Sequence, residues 1–312
     1  MFRGSYYFIF LLIAVLSLGL LLGGETDDVK EDCQRLYSDR NKLTQVKEIR
    51  IDDGDLSVRL SNIAGQWLVQ SRNNYPADKA RVLALKRDLF EARLLEAKTQ
   101  RPENHDLLGV GLNGIAISLD DEPYLVVGQS ASGRSGRFVR FAGEDQVWLQ
   151  SSQLTEVSAN SANWLKRDLL DVDPETVRRI VIDHEGERLS VSQGVGVVSI
   201  AGIDASEYRY EGIQESLVNM FERVLLTDVA QRQAIDFSDA SRVSVVTRQG
   251  GEGRTTSLAL TKQDDQYWLA FVEGAPDSLS VNPDKWAFAI SRLNYDTMTK
   301  QKRSLIKSGE SS

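Results

Sequence analysis

The chain has 312 residues, of which 41% are hydrophobic and 26% charged, with a formal net charge of −8 and a pI near 5.0. These are the proportions of a folded protein long enough for two domains of ordinary size, so wholesale disorder is excluded; the acidic balance also argues against duplex nucleic acid, whose phosphates require a basic surface. A single cysteine, Cys33, leaves no intramolecular disulfide, and two histidines far apart in sequence, His105 and His184, argue against a Cys/His metal centre, though not against an all-carboxylate site for a hard cation.

From Tyr6 to Leu22 the chain is apolar and uncharged. As a helix rising about 1.5 Å per residue this run approaches the hydrocarbon thickness of a bilayer. A cleaved signal peptide is the competing reading, but Gly23, Gly24, Glu25 and Thr26 make a poor cleavage site. Arg3 precedes the run, and Glu25, Asp27, Asp28, Glu31 and Asp32 follow it. By the positive-inside rule the expectation is a single-pass signal anchor over residues 1–24 with the body outside. The N-terminus would be cytoplasmic and the body periplasmic or extracytoplasmic, joined by a linker over 25–45. Lys30, Glu31 and Asp32 argue against lipidation at Cys33.

The body repeats. Val46 to Gly54 alternates like a strand running into a glycine turn, and Val177 to Gly186 does the same. Leu89 and Phe90 are matched by Met220 and Phe221 at the same offset of roughly 131 residues. Trp148 and Trp268 each close a run of short strands, and the segments at Trp164 and Trp286 read as tryptophan-bearing helices. Pro76, Ala77 and Asp78, like Pro283 and Asp284, signal helix starts, because proline tolerates the first turn and aspartate complements the dipole. A helix is predicted from Ala77 to Lys98, with Val82, Leu85, Leu89, Leu94 and Leu95 inward and Lys86, Arg87, Glu91 and Arg93 solvated. The expected fold is α+β: two homologous halves, 46–170 and 177–296, of antiparallel sheet with helices on one face, built from four β-β-β-α modules. Residues 297–312 read as a disordered basic tail.

The anchor, the Trp67 to Asp78 segment before a Leu-rich helix, and Trp164 to Leu170 followed by Val177 to Ile182 together resemble the bacterial family catalogued as domain of unknown function 4340. Members of that family are bacterial, mostly extracytoplasmic and often encoded beside ABC-type transport components related to gliding motility, so the resemblance implies a body anchored in a bacterial inner membrane. It implies no catalytic residue.

Gly128 to Ser135 has the outline of a phosphate-binding loop with arginine in place of the lysine, but Arg137 to Phe141 alternates as a strand where such a loop needs a helix, so a hairpin tip is expected. Arg248 to Arg254 reads as its counterpart in the second half. Arg134, Arg137 and Arg140, with Arg248 and Arg254, are the candidate contacts for an anion or a partner. Asp52, Asp53 and Asp55, Asp120, Asp121 and Glu122, and Asp264 and Asp265 fall between strands and read as turns rather than paired catalytic carboxylates. Both histidines read as surface residues and the tryptophans as core anchors. No catalytic, cofactor-binding or metal-ligating set is assigned. The function expected is a non-enzymatic, membrane-tethered accessory or scaffold protein of an ABC-type transport or envelope complex, engaging the membrane and a protein partner. A binding module for anionic envelope polysaccharide or lipid is the alternative, and a hydrolase comes after it.

Overall fold

The computed structural model describes residues 34–194, 196–249 and 252–307. The apolar run from Tyr6 to Leu22, with the anchor and orientation read from it, lies outside these residues. Among the described residues no helix is long and apolar enough to cross a membrane.

The first half opens with a short helix, α1 (Arg40–Gln45), capped by Asp39, whose carboxylate accepts the Lys42 amide at 3.0 Å. A meander follows: β1 (Glu48–Asp53), β2 (Leu56–Ile63) and β3 (Gln66–Val69), with the two-residue β4 (Tyr75–Pro76) at its edge. Asp78 then caps α2 (Lys79–Glu91), accepting the Ala80 and Arg81 amides. After it come β5 (Leu94–Thr99), β6 (Ile115–Leu119), β7 (Glu122–Ser130), β8 (Arg137–Phe141) and β9 (Val147–Gln150). The second half repeats the scheme. An edge strand β10 (Asp168–Leu170) precedes the meander β11 (Val177–His184), β12 (Glu187–Gln193) and β13 (Val198–Ile200), which is followed by α3 (Ile213–Val218). Strands β14 (Val224–Gln231), β15 (Ser241–Gln249), β16 (Glu252–Gln263), β17 (Gln266–Glu273) and β18 (Trp286–Ile290) complete the sheet before α4 (Arg292–Met298).

Each half forms one nine-stranded antiparallel sheet. The first runs β4-β3-β2-β1-β6-β7-β8-β9-β5 and the second β10-β14-β18-β17-β16-β15-β11-β12-β13. Read from opposite ends, eight strands follow the same order, so the duplication seen in the sequence is a duplication of topology. Its physical basis is the alternation: Ile49, Ile51, Val58 and Leu60 are buried, and so are Ile180, Ile182, Leu189 and Val191, each 131 residues further on.

The halves are not separate cores. One cluster of buried residues runs from Leu36 to Leu305 through both sheets. At the junction Tyr75 packs edge-on against Trp286, with ring centroids 5.0 Å apart, and against Phe288 at 6.4 Å. Beside them Arg72 forks onto Asp228, with Nε 2.6 Å from Oδ1 and an Nη 2.9 Å from Oδ2. Trp164, in the segment between the sheets, is fully buried; its indole donates to the Ser158 carbonyl at 2.7 Å, and its own carbonyl accepts the Asp78 amide.

Several expectations change. The unit is not β-β-β-α: in each half a three-stranded meander, a helix and one crossing strand precede a four-stranded meander. The predicted helix to Lys98 stops at Glu91, because Ala92 turns extended and Leu94 pairs with Gln150 in β5. Val82, Leu85 and Leu89 are inward as expected, but Lys86 is buried and Leu95 is exposed. Trp148 lies in β9 and Trp268 in β17, which are not counterparts, and Trp286 starts a strand rather than a helix. Asp168–Leu170, placed at the end of the first half, is an edge of the second sheet beside β14. Gln34 to Leu36, placed in the linker, holds the same position beside β5, through Leu94 N–H to Gln34 O and Leu36 N–H to Ala92 O, both 2.8 Å. The tail is packed as far as Lys307: Met298 and Leu305 are fully buried, and Ile306 bridges to Tyr208. Residues 308–312 lie outside the described residues.

Candidate functional site: a cleft built twice

The first half encloses a cleft of about 550 Å³ between the Gln34–Lys42 segment and the β6–β7 hairpin. The hairpin closes through Asp120 and Asp121, both left-handed at φ 51° and 64°. That geometry matches the twist of the flanking strands, and aspartate tolerates it. Asp120 Oδ1 accepts the amides of Lys47 at 2.8 Å and Glu48 at 2.9 Å, which ties the turn to the start of β1. On the cleft wall Tyr124 packs against Tyr37 (5.1 Å) and Phe141 (5.8 Å), and its hydroxyl donates to the Leu36 carbonyl. Burial drives the Tyr124 phenol well above the usual tyrosine range. Tyr37 is also raised, by burial first and then by Asp39 and Asp120. Both phenols therefore stay protonated at neutral pH. Arg35, Lys42, Asp39 and Glu122 add charges of both signs. An aromatic wall with a few charged groups is the kind of lining that ligand clefts have.

The second half has a smaller cleft of about 260 Å³ in the corresponding place, between the Leu170–Thr176 segment and the β15–β16 hairpin. Asp173 caps the turn after β10, accepting the Glu175 amide, as Asp39 caps α1. Val177 stands 131 residues from Val46, which lines the first cleft. The chemistry of the lining differs. Here Arg248, Arg254, Thr247, Thr256, Asp171 and Asp173 face the space, with no aromatic ring. Arg254 donates to the Ala275 carbonyl at 2.8 Å, Thr256 Oγ1 to Gly274 O at 2.9 Å, and Asp171 accepts the Arg223 amide at 3.0 Å.

Of the five arginines singled out in the sequence, two thus line the second cleft and the other three line neither. Arg134 pairs with Glu96 at 3.2 Å, a carboxylate that also holds Lys98 at 2.7 Å. Lys98 and Arg134 keep the Glu96 carboxyl below the usual range. Arg137 forks onto the Gly128 carbonyl at 2.9 and 2.6 Å, and Arg140 donates to the carbonyls of Val110 and Glu144. Arg137 thus ties β8 to β7 within their hairpin, and Arg140 braces the 100–114 loop against it. Gly128 is needed there, because a Cβ would stand 2.3 Å from the Leu108 carbonyl oxygen. The two arginine loops are not equivalent: Gly128–Ser135 belongs to β7–β8, whereas 248–254 belongs to β15–β16, the counterpart of β6–β7.

His105, expected at the surface, is buried, its Nε2 2.9 Å from the Asp145 carbonyl oxygen. His184 Nδ1 lies 2.6 Å from Ser241 Oγ, and its Nε2 is 3.8 Å from Glu185. This chain of three groups lines neither cleft. Trp67, Trp164, Trp268 and Trp286 are buried, and Trp148 packs against the core half-buried, in keeping with their reading as anchors. Asp120 and Asp121, like Asp264 and Asp265, occupy the left-handed positions of hairpin turns, as read from the sequence. Among the described residues no three His, Cys, Asp or Glu side chains converge as metal ligands would. Tyr37, Tyr124 and Phe141 carried no sequence signal as a set, since 104 positions separate the first from the last and only the sheet brings them together.

Residues 67–208 match the protein family described as Domain of unknown function (DUF4340). No curated protein and no solved structure matches the chain. The matched stretch starts in β3 and ends beyond β13, so it crosses from one sheet into the other and coincides with neither half.

Proposed function

Since residues 67–208 of this chain are a DUF4340 region, we propose that the protein is a membrane-tethered, extracytoplasmic accessory or scaffold subunit whose duplicated clefts engage a protein partner. The observation that carries this reading is the pair of clefts: one topological site, built twice in a body with one continuous core, and lined with different chemistry on each copy. Two unlike sites held in fixed relation suit the capture of two segments of one partner, because joining them raises the effective concentration of the second contact. The tether and its orientation rest on the apolar run and its flanking charges, and the link to ABC-type transport components rests on the family resemblance.

The test is photocrosslinking in native membranes of the intact chain. A photoreactive residue at Lys42, in the first cleft, and one at Arg248, in the second, are expected to capture the same transport or envelope subunit. Recovery of the chain alone in mild detergent, with no adduct from either position, would overturn the reading. A role as a binder of anionic polymer through Arg134, Arg137 and Arg140 has less support, because these side chains already hold Glu96 and three backbone carbonyls.

A further inference from the structure

The first half carries another depression, which the duplication does not explain. It is a groove of about 290 Å³ between α1 and α2, walled by Arg40, Leu83, Lys86, Arg87, Phe90 and Glu91. Three of the eight lining residues are cations and one is a carboxylate, on a chain of net charge −8, and an Arg87 Nη lies 3.6 Å from the Asp88 carboxylate. Arg35, which lines the first cleft, stacks on the same Phe90 ring with its guanidinium 4.3 Å from the ring centre, while that of Arg40 lies at 5.4 Å. Arg40, Arg87 and Leu83 are exposed. Lys86 is buried, with Nζ 3.2 and 3.4 Å from the carbonyl oxygens of Thr44 and Val46 and 5.5 Å from the Trp67 ring.

The second half serves as an internal control. The 131-residue offset that carries Ile49 onto Ile180 carries Lys86, Arg87 and Phe90 onto Leu217, Val218 and Phe221, all buried. The shared fold thus accepts an apolar contact at these positions, and the cations belong to the first half alone.

We propose that this groove docks an anionic phospholipid of the membrane, its phosphate between Arg40 and Arg87 and its apolar part on Leu83 and Phe90. Guanidinium groups donate charge-assisted bonds to phosphate oxygens, and basic residues close to an anionic surface are attracted to it. Location agrees with this occupant. Arg35 follows directly on Gln34, the first described residue, and the apolar run ends at Leu22, twelve positions earlier (34 − 22). A chain of that length spans at most about 40 Å when extended, so the groove is leashed near the bilayer. The inference rests on the membrane-anchor reading given above.

The test uses the full chain carrying Cys33→Ser and Leu83→Cys, with an environment-sensitive fluorophore on position 83, in vesicles of phosphatidylcholine with or without phosphatidylglycerol. Only the anionic vesicles are expected to shift the emission to the blue and to reduce access of an aqueous quencher, by about threefold or more; high salt and Arg40→Glu/Arg87→Glu should each reverse this. The milder pair Arg40→Gln/Arg87→Gln is expected to weaken it. Identical emission in both vesicle types would overturn the proposal. So would an equal response to inorganic phosphate without anionic lipid, or a response in pure phosphatidylcholine to neutralising Glu25, Asp27, Asp28, Glu31 and Asp32, which would make the chain's own acidic segment the occupant. Failure of the chain to float with phosphatidylcholine vesicles would count against the anchor instead, so the two failures are distinguishable.

Discussion

Lys86 shows how far a single side chain can depart from what its type suggests. A lysine on a helix is ordinarily solvated, and the 3.6-residue period places position 86 on the margin of the apolar stripe. The structure buries it, because the carbonyls of Thr44 and Val46 offer its ammonium two acceptors at the end of α1. Burial lowers its pKa below the usual lysine value, and Asp120 opposes this in part. The native state therefore binds fewer protons than the unfolded chain between those two pKa values. Stability rises with pH across that window: the gain is complete above the unfolded value and lost as pH falls through the native one. Lys86→Leu, which installs the residue of the second half, is expected to stay within about 1 kcal/mol of wild type at neutral pH, since loss of the buried charge offsets two carbonyls left without a donor. Urea unfolding of both proteins across neutral and alkaline pH should show a smaller rise for the variant. An equal slope would remove Lys86 as the source.

At the scale of elements, the turns and caps were the most legible part of the chain. Asp78 and Asn282 sit where their short side chains close a local hydrogen bond, and the aspartate pairs of the hairpins take the left-handed backbone of their turns; both signals need only neighbours in sequence. Asp120 reaches further in sequence, since its partners are the amides of Lys47 and Glu48 at the start of β1, 73 and 72 positions away. Replacing it with alanine leaves two donors without this acceptor and is expected to cost about 1–3 kcal/mol. The same change should loosen the wall of the first cleft, which hydrogen exchange at Lys47 and Glu48 would report as faster exchange than in wild type. Helix length was misread for a related reason. Leu94 and Leu95 continue an apolar pattern that either a helix or a strand satisfies, and the choice fell to Gln150, whose strand needed a partner at its edge.

For the whole molecule, the consequence of duplication is a body that behaves as one unit. Continuity of the core through Tyr75 and Trp286 predicts a single cooperative unfolding transition. Tryptophan fluorescence and far-ultraviolet circular dichroism should give coincident curves; two separated transitions would show that the halves unfold independently. The Arg72–Asp228 fork joins the same two sheets, with side chains 29% and 23% exposed. Arg72→Ala and Asp228→Ala are each expected to destabilise by about 1–2 kcal/mol, with a coupling of about 1 kcal/mol in the double-mutant cycle, as befits a bidentate pair partly open to solvent. Independent, additive losses would mean that the fork does not join the halves energetically.

The sequence by itself determined the duplication, the alternation that buries one face of each strand, the turn chemistry and the core role of the tryptophans, because each is written in neighbouring residues or in a repeated period. Only the tertiary structure decided which hairpins correspond, that the last turns pack back onto the β11–β12 turn and Tyr208, and that one site is built twice with different linings. Those outcomes depend on which strands become neighbours across a nine-stranded sheet. Strand order is set by burial summed over the whole body, and no local stretch of residues encodes it.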